Sequence, residues 1–139
     1  MHEIENASGK KRAGAAAAMH EISNETRKKR VKAGLEIAGT NFARMRGLMF
    51  RDEIVPILFV FGYEGIFPIH SYFVKKEFDA VYLASGGSVN EIYRRIRPNT
   101  ALVTPKKDSA FLLELPVKMT DRLCIEEGDV LKWKRVGGR

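Results

Sequence analysis

The chain is poor in the residues that build metal centres and disulfide frameworks. It has one cysteine, Cys124, and three histidines scattered along 139 residues. A single cysteine excludes an intramolecular disulfide, and it also excludes a zinc site made of cysteines alone. We expect Cys124 to be a small buried residue, because its neighbours include no group that would activate a thiol. The sequence predicts neither a metal site nor a cofactor.

Long hydrophobic runs are also missing. A membrane-spanning helix needs about 18 consecutive apolar residues, whereas the run Ile57–Phe61 ends after five. The basic triplet Lys10–Arg12 is followed only by a short alanine stretch, which is too little for the apolar region of a signal peptide. We therefore expect a cytoplasmic protein without a membrane span.

Basic residues exceed acidic ones, but the excess is divided between two parts of the chain. The sequence holds 24 Lys and Arg against 17 Asp and Glu, a formal charge of +7. Residues 1–30 contain seven basic and four acidic residues, and the remainder contains seventeen and thirteen. A folded part with this mild excess is not typical of a dedicated nucleic-acid-binding domain.

The first 26 residues offer little for packing. Ile4 and Ile22 are their only large aliphatic side chains apart from methionine. The tetrapeptide at Met1–Ile4 recurs at Met19–Ile22, but two copies are too few for a repeat architecture. This composition predicts a disordered basic tail over residues 1–26 and a single β-rich domain over residues 27–139.

From Val31 onwards the pattern is that of short strands. Apolar and polar residues alternate over Val31–Ile37, which is typical of a half-buried strand. Thr40 and Gly47 are placed to begin and end a short helix, and Lys118–Leu123 is long enough for one helical turn. Further strands are predicted at Ile57–Phe61, Ile66–Phe73, Phe78–Ala84, Val89–Ile96, Ser109–Leu115 and Val130–Lys134. The fold class is therefore mainly β with one or two short helices, in a small closed β-barrel-like or sandwich domain.

Several different short motifs follow one another in a recognisable order along the predicted strands. They are Gly47–Arg51 (Gly-Leu-Met-Phe-Arg), Leu58–Phe61, Ile69–Phe73, Phe78–Leu83, Leu113–Pro116 (Leu-Glu-Leu-Pro) and Glu127–Val130. Their order and spacing over roughly residues 31–134 resembles the domain of unknown function 192 family. The resemblance implies a small β-rich, barrel-like fold and no established reaction.

Four polar side chains form a candidate ligand-binding groove: Arg51, His70, Asp79 and Glu114. A guanidinium binds carboxylates and other anions through two parallel hydrogen bonds, and histidine is a common base or ligand. Asp79 and Glu114 each stand between apolar strand neighbours, so each faces away from those neighbours.

Each of the four residues also has a structural interpretation. Arg51 would pin a loop by pairing with Glu114 or Asp129, and Asp79 would anchor a turn by hydrogen bonds. Glu114 would be a carboxylate paired with an arginine, and His70 a structural histidine. The sequence leaves both interpretations open.

The favoured function is a non-catalytic module that binds a small ligand or a protein partner, since no motif identifies a catalytic residue. One alternative is an accessory protein that binds nucleic acid weakly and without sequence preference, through the basic tail together with Arg94, Arg95 and Arg97 beside Tyr93. Another is a small acid/base enzyme that uses Asp79 or Glu114 with His70.

Overall fold

The computed structural model describes residues 17–137, without the side chains of Phe42 and Met45. Two short helices, α1 (Asn41–Arg46) and α2 (Val117–Leu123), interrupt a series of strands. The strands are β1 (Ala18–Asn24), β2 (Lys29–Ala38), β3 (Ile57–Gly65), β4 (Phe78–Leu83), β5 (Val89–Ile96), β6 (Ser109–Leu115) and β7 (Leu131–Arg135). The predicted mainly β class is confirmed. Neither helix of the described range is long and apolar enough to cross a membrane.

The seven strands form one sheet that curls into a half-barrel. Its order is β5-β4-β6-β3-β2-β1-β7, and only β2 and β3 are parallel, joined through α1. The two edge strands approach each other at a bridge between Ser88 and Val130. At this seam Gly87 has φ 95°, and an added Cβ would lie 2.6 Å from the Leu131 carbonyl oxygen. Glycine is therefore required where the hairpin between β4 and β5 meets β7.

The sheet has a hydrophobic core on each face. One core receives side chains from both ends of the sheet, including Ile22 of β1, Leu113 of β6 and Leu131 of β7, and so fills the concave side. The other core lies on the convex side and includes Phe59 and Leu112, with α1 and the loops beyond it as its cover. Glu114 of β6 faces this second side and is buried there.

The local predictions for β2 and α1 are confirmed. The Thr40 hydroxyl oxygen accepts a hydrogen bond from the Ala43 amide at 3.0 Å, which caps the start of α1. Gly47 has φ 44° and ends the helix, and its amide donates to the Ala43 carbonyl at 3.0 Å. The predicted strands beginning at Phe78, Val89 and Ser109, and the turn at Ser85–Ser88, are also present.

One predicted strand is wrong. Residues 66–73 form only a single bridge, between Ile69 and Val103, and β3 itself continues through residues 62–65. The segment has the composition of a strand, but no neighbouring strand runs beside it to complete a ladder. Cys124 is also exposed rather than buried, because it ends α2 in the left-handed conformation, with φ 54°.

The predicted tail boundary at residue 26 is also corrected. Ala18–Asn24 forms β1, an internal strand that pairs with β2 on one side and β7 on the other. Ile22 is 0% exposed because both neighbours and the concave core enclose it. The folded domain therefore begins by Ala18, and residues 1–16 of the predicted tail lie outside the described residues.

Candidate functional site

Glu114 is a buried carboxyl group on the convex side of the sheet. It lies in β6, where it is paired with Ile57 of β3 and Ala80 of β4. Only 5% of the residue is exposed. Burial raises the pKa of Glu114 to about 8, although the positive charge of Arg51 acts in the opposite direction. Among the described residues, no group donates a hydrogen bond to this carboxyl.

Glu114 contributes to a cavity of about 450 Å³ between α1, β3 and the segment around residue 68. We call this the α1 cavity. It is lined by Asn41, Arg44, Arg46, Gly47, Leu48, Met49, Phe59, Phe61, Phe67, Pro68, Ile69, His70, Val74, Leu112 and Glu114. The rings of Phe61 and Phe67 stack with centroids 3.8 Å apart and form an aromatic wall. Volume and lining are both typical of small-ligand sites.

The end of α1 is held directly over β3. An added Cβ at Gly47 would lie 3.1 Å from the ring of Phe59, so a larger residue would push the helix away from the strand. The glycine of the Gly-Leu-Met segment thus combines the helix end with close packing against the cavity wall.

The charged side chains contributed by α1 are both arginines. Arg44 donates to the carbonyls of Gly39 at 2.9 Å and Val60 at 3.2 Å, and to the Asn41 side-chain oxygen at 2.5 Å. These acceptors are uncharged, so within residues 17–137 no carboxylate neutralises Arg44. Arg46 adds a second guanidinium to the lining.

His70 lies at the exposed side of the cavity. Its Nδ1 accepts a hydrogen bond from the Tyr72 amide at 3.1 Å. In the neutral ring the proton is therefore on Nε2, which makes that nitrogen a hydrogen-bond donor. Like the two arginines, His70 offers N–H groups rather than acceptors.

Arg51 is engaged in a structural ion pair. Its two terminal nitrogens donate to the two carboxylate oxygens of Glu36 at 2.6 and 2.8 Å, and its Nε donates to the Gly47 carbonyl at 3.0 Å. The partners predicted for Arg51 were Glu114 and Asp129. The strand pattern gave no sign of Glu36 as the partner, because Glu36 is simply one of the polar residues that alternate along β2.

Asp79 lies apart from the other three candidates. In the ladder between β4 and β6 it is opposite Leu115, whereas Glu114 is opposite Ala80, so the two carboxyl groups face opposite sides of the sheet. The Asp79 carboxylate accepts a hydrogen bond from the Arg95 amide at 2.7 Å. Arg95 has φ 53° at an irregularity of the ladder between β4 and β5, so Asp79 stabilises a β-bulge.

The three arginines of the predicted nucleic-acid surface are exposed, but two of them have acidic neighbours. Arg94 donates to the Ile125 carbonyl at 2.7 Å and lies 3.4 Å from the Glu126 carboxylate. Arg95 lies 3.8 Å from the Glu77 carboxylate. Arg97 is also exposed.

A second cavity, of about 560 Å³, lies beside the hairpin between β4 and β5. Trp133 and Phe111 lie on its wall, with ring centroids 5.2 Å apart. Its charged residues have both signs and include Glu21, which pairs with Lys134 at 4.0 Å. No candidate residue from the sequence analysis contributes to it, and several of its charged residues already have partners, among them Glu21 with Lys134 and Glu25 with the Ser23 hydroxyl. The α1 cavity is therefore the stronger candidate site.

The four candidates are thus only partly brought together. Glu114 and His70 line the α1 cavity, Arg51 acts on Glu114 through its charge, and Asp79 faces the other side. Arg44, Phe61 and Phe67 were missed, because their convergence depends on how the loop at residues 66–70 folds over α1. Within residues 17–137, no group of three or more His, Cys, Asp or Glu side chains is placed to hold a metal ion.

The sequence matches the domain of unknown function 192 family, described as Uncharacterized ACR, over residues 22–133. A UPF0127 protein of Pyrococcus abyssi is 31% identical over 101 residues, which cover 71% of this chain and 85% of the relative. A UPF0127 protein of Thermococcus sibiricus is 32% identical over 103 residues, 72% of this chain and 66% of the relative. The match thus spans about two thirds of the length of the Thermococcus protein.

Two solved structures share the fold. One is a proposed transcription regulator from Sinorhizobium meliloti 1021, with a TM-score of 0.78 and 22% identity over 88% of this chain and 97% of that protein. The other is a protein of unknown function from Novosphingobium aromaticivorans, with a TM-score of 0.73 and 19% identity over 87% of this chain and 94% of that protein. At these identities the likeness shows the fold alone.

Proposed function

The chain belongs to the domain of unknown function 192 family, and we propose that it is a non-catalytic binding module whose α1 cavity holds a small organic ligand. The observation that carries this proposal is Glu114, a buried carboxyl that no described residue hydrogen-bonds and that lines the cavity. Buried polar groups in folded proteins are almost always hydrogen-bonded. A ligand in the α1 cavity would supply the missing partner.

The dimensions of the cavity favour a small molecule over a protein partner. Its volume of about 450 Å³ lies within the range of roughly 300–1,000 Å³ that small-ligand sites occupy. The stacked rings of Phe61 and Phe67 provide an apolar surface inside a concavity rather than on a flat face. This arrangement favours burial of most of a small ligand.

The position of Asp79 disfavours catalysis by the two carboxyl groups together. Acid/base chemistry with two carboxyl groups needs both of them beside the same substrate. Asp79 and Glu114 are on opposite sides of the sheet, and Asp79 is already bonded to the Arg95 amide. The transcription-related role described for the Sinorhizobium protein is not assigned to this chain, because the similarity between the two extends only to the fold.

The proposal is tested by titrating the full chain with three probes that share one apolar body: 3-phenylpropionate, 3-phenylpropan-1-ol and 3-phenylpropylamine. We expect at least one of them to shift the backbone amide resonances of Gly47 and Ile69 at millimolar concentration. The amides of Lys132 and Lys134, beside the second cavity, serve as the internal control. If no probe shifts the resonances of the α1 cavity, or if the shifts lie only around the second cavity, the proposal is rejected.

A further inference from the structure

We propose that the ligand of the α1 cavity is a small organic anion with an apolar body, of the class of aromatic or branched carboxylic acids. This inference rests on the proposed function and adds the chemical class of the ligand. It follows from the donors that line the cavity, from the sign of their charge and from the aromatic wall.

The lining of the α1 cavity is rich in hydrogen-bond donors. Arg44 and Arg46 carry guanidinium groups, which donate and never accept. His70 directs its accepting nitrogen to the Tyr72 amide, which leaves Nε2–H for solvent or a ligand. A head group that complements these side chains must therefore be an acceptor.

Within residues 17–137, Glu114 is the only acidic residue of the lining. Burial raises its pKa to about 8, so at neutral pH the carboxyl is mainly protonated and becomes another donor. With Glu114 neutral, Arg44, whose described acceptors are all uncharged, gives the cavity a positive charge. A ligand ammonium would meet the positive charge of Arg44, whereas a carboxylate would meet the Arg44 guanidinium and the Nε2–H of His70.

The aromatic wall determines which apolar groups of a ligand fit best in the cavity. Phe61 and Phe67 stack on each other, and Phe59 continues the apolar surface towards the end of α1. Flat aromatic rings and branched alkyl groups make the largest contact with such a wall. An inorganic anion would satisfy the donors but would leave these rings without contact.

Several groups near Glu114 bear on its titration. Arg44 and Arg46 of α1 and Arg51 beyond it stay charged near neutral pH, and Glu36 of β2 is paired with Arg51. Burial and the charge of Glu114 raise the pKa of Tyr82 in β4, so this hydroxyl stays neutral. His70 is the remaining titratable group of the lining, and its contribution has to be separated from that of Glu114 by a variant.

The experiment measures the affinity of the same three probes by amide titration at about pH 7 and pH 9. We expect the carboxylate to bind most tightly at pH 7 and its affinity to fall about tenfold at pH 9, as Glu114 ionises. In Glu114→Gln the amide still donates, so binding should persist and the tenfold fall should vanish. Glu127→Gln, at an exposed position outside the α1 cavity, should keep the fall.

Other results would overturn the inference in distinguishable ways. Tightest binding of the amine or the alcohol would reject an anionic ligand but leave the binding module intact. Binding of none of the probes would reject both proposals. A tenfold fall that persists in Glu114→Gln would show that Glu114 is not the source of the pH dependence and would remove Glu114 from the site. As a second variant, Arg44→Gln should lower the affinity for the carboxylate severalfold and leave the affinity for the alcohol unchanged. An equal loss of affinity for both probes would contradict the role of charge.

Discussion

Arg51 interacts with two glutamates in different ways. The carboxylate of Glu36 accepts one hydrogen bond from each terminal nitrogen of Arg51, at 2.6 and 2.8 Å, whereas Glu114 is influenced only by the charge of Arg51. A buried carboxyl without hydrogen bonds prefers the protonated form, because no partner replaces the water that ionisation requires. Glu114 therefore weakens the fold whenever it ionises. Proteins often retain such strained groups at functional sites.

We expect Glu114→Gln to stabilise the protein more at high pH than at low pH. The pKa of Glu114 is raised in the folded state from 4.5 to about 8, so the folded chain binds more protons than the unfolded chain between these values. Stability contributed by this group is complete below about pH 4.5 and is lost as the pH rises towards 8. The loss is about 1.4 kcal/mol per pH unit within this window.

The measurement is urea unfolding of the wild type and the variant at pH 5 and pH 8. The free energy of unfolding of Glu114→Gln minus that of the wild type should increase by a few kcal/mol between the two values. Glu127→Gln, which removes an exposed carboxyl, should show no comparable increase. An equal difference at both pH values would mean that Glu114 ionises normally in the folded protein.

The strand β1 shows how a segment with few apolar residues becomes part of a core. It pairs with β2 and β7 along nearly its whole length, and Ile22 enters the concave core. Its end is held by Asp129, whose carboxylate accepts from Asn24 at 2.8 Å, Arg27 at 2.8 Å and the Glu126 amide at 3.0 Å. One large apolar side chain is enough to make β1 part of the core when both neighbouring strands are present.

A chain that begins at Arg27 should be much less stable than a chain that begins at Ala17. The shorter chain lacks β1, so β2 and β7 lose their shared partner and the concave core loses Ile22. The lost burial of that side chain alone costs about 2–3 kcal/mol, and the unpaired ladders add to it. Urea midpoints of the two chains give the measurement, and equal midpoints would show that β1 contributes nothing to the fold.

Within residues 17–137, the basic side chains are spread along the chain, and several of them pair with acidic ones. Among the exposed pairs are Lys75 with Asp52 at 2.7 Å and Lys76 with Glu53 at 2.9 Å. Arg94 and Arg95 likewise have Glu126 and Glu77 within 4 Å. A positive total charge that is distributed in this way attracts polyanions without forming a continuous track for a phosphate backbone.

We therefore expect nucleic acid to bind weakly and without sequence preference. If about four phosphates are contacted at once, the affinity for duplex DNA should fall on the order of a hundredfold between 50 and 200 mM salt. Fluorescence anisotropy with one labelled duplex and one labelled single strand at both salt concentrations measures this dependence. Tight binding that persists at high salt and differs between sequences would restore Arg94, Arg95 and Arg97 as an interface.

The elements that the sequence predicted correctly are those that depend on neighbouring residues. The alternation of β2, the Thr40 cap, the Gly47 helix end and the paired glycines after β4 act through backbone conformation within a few residues. Glu114 stands between apolar strand neighbours and is buried, but the arginine expected as its partner pairs with Glu36 instead. Patterns of this kind determine where a strand or helix forms and which residues face a core.

What only the tertiary structure decided is which segments meet. Residues 18–24 become a strand because β2 and β7 flank them, and residues 66–73 do not because no strand lies alongside. The pairing of Asp79 with Leu115 and of Ala80 with Glu114 separates two carboxyl groups that look alike in sequence. Glu36, 15 positions before Arg51, takes the guanidinium that Glu114 was expected to share. Register and partner choice depend on contacts between distant parts of the chain, and a short sequence pattern carries no information about them.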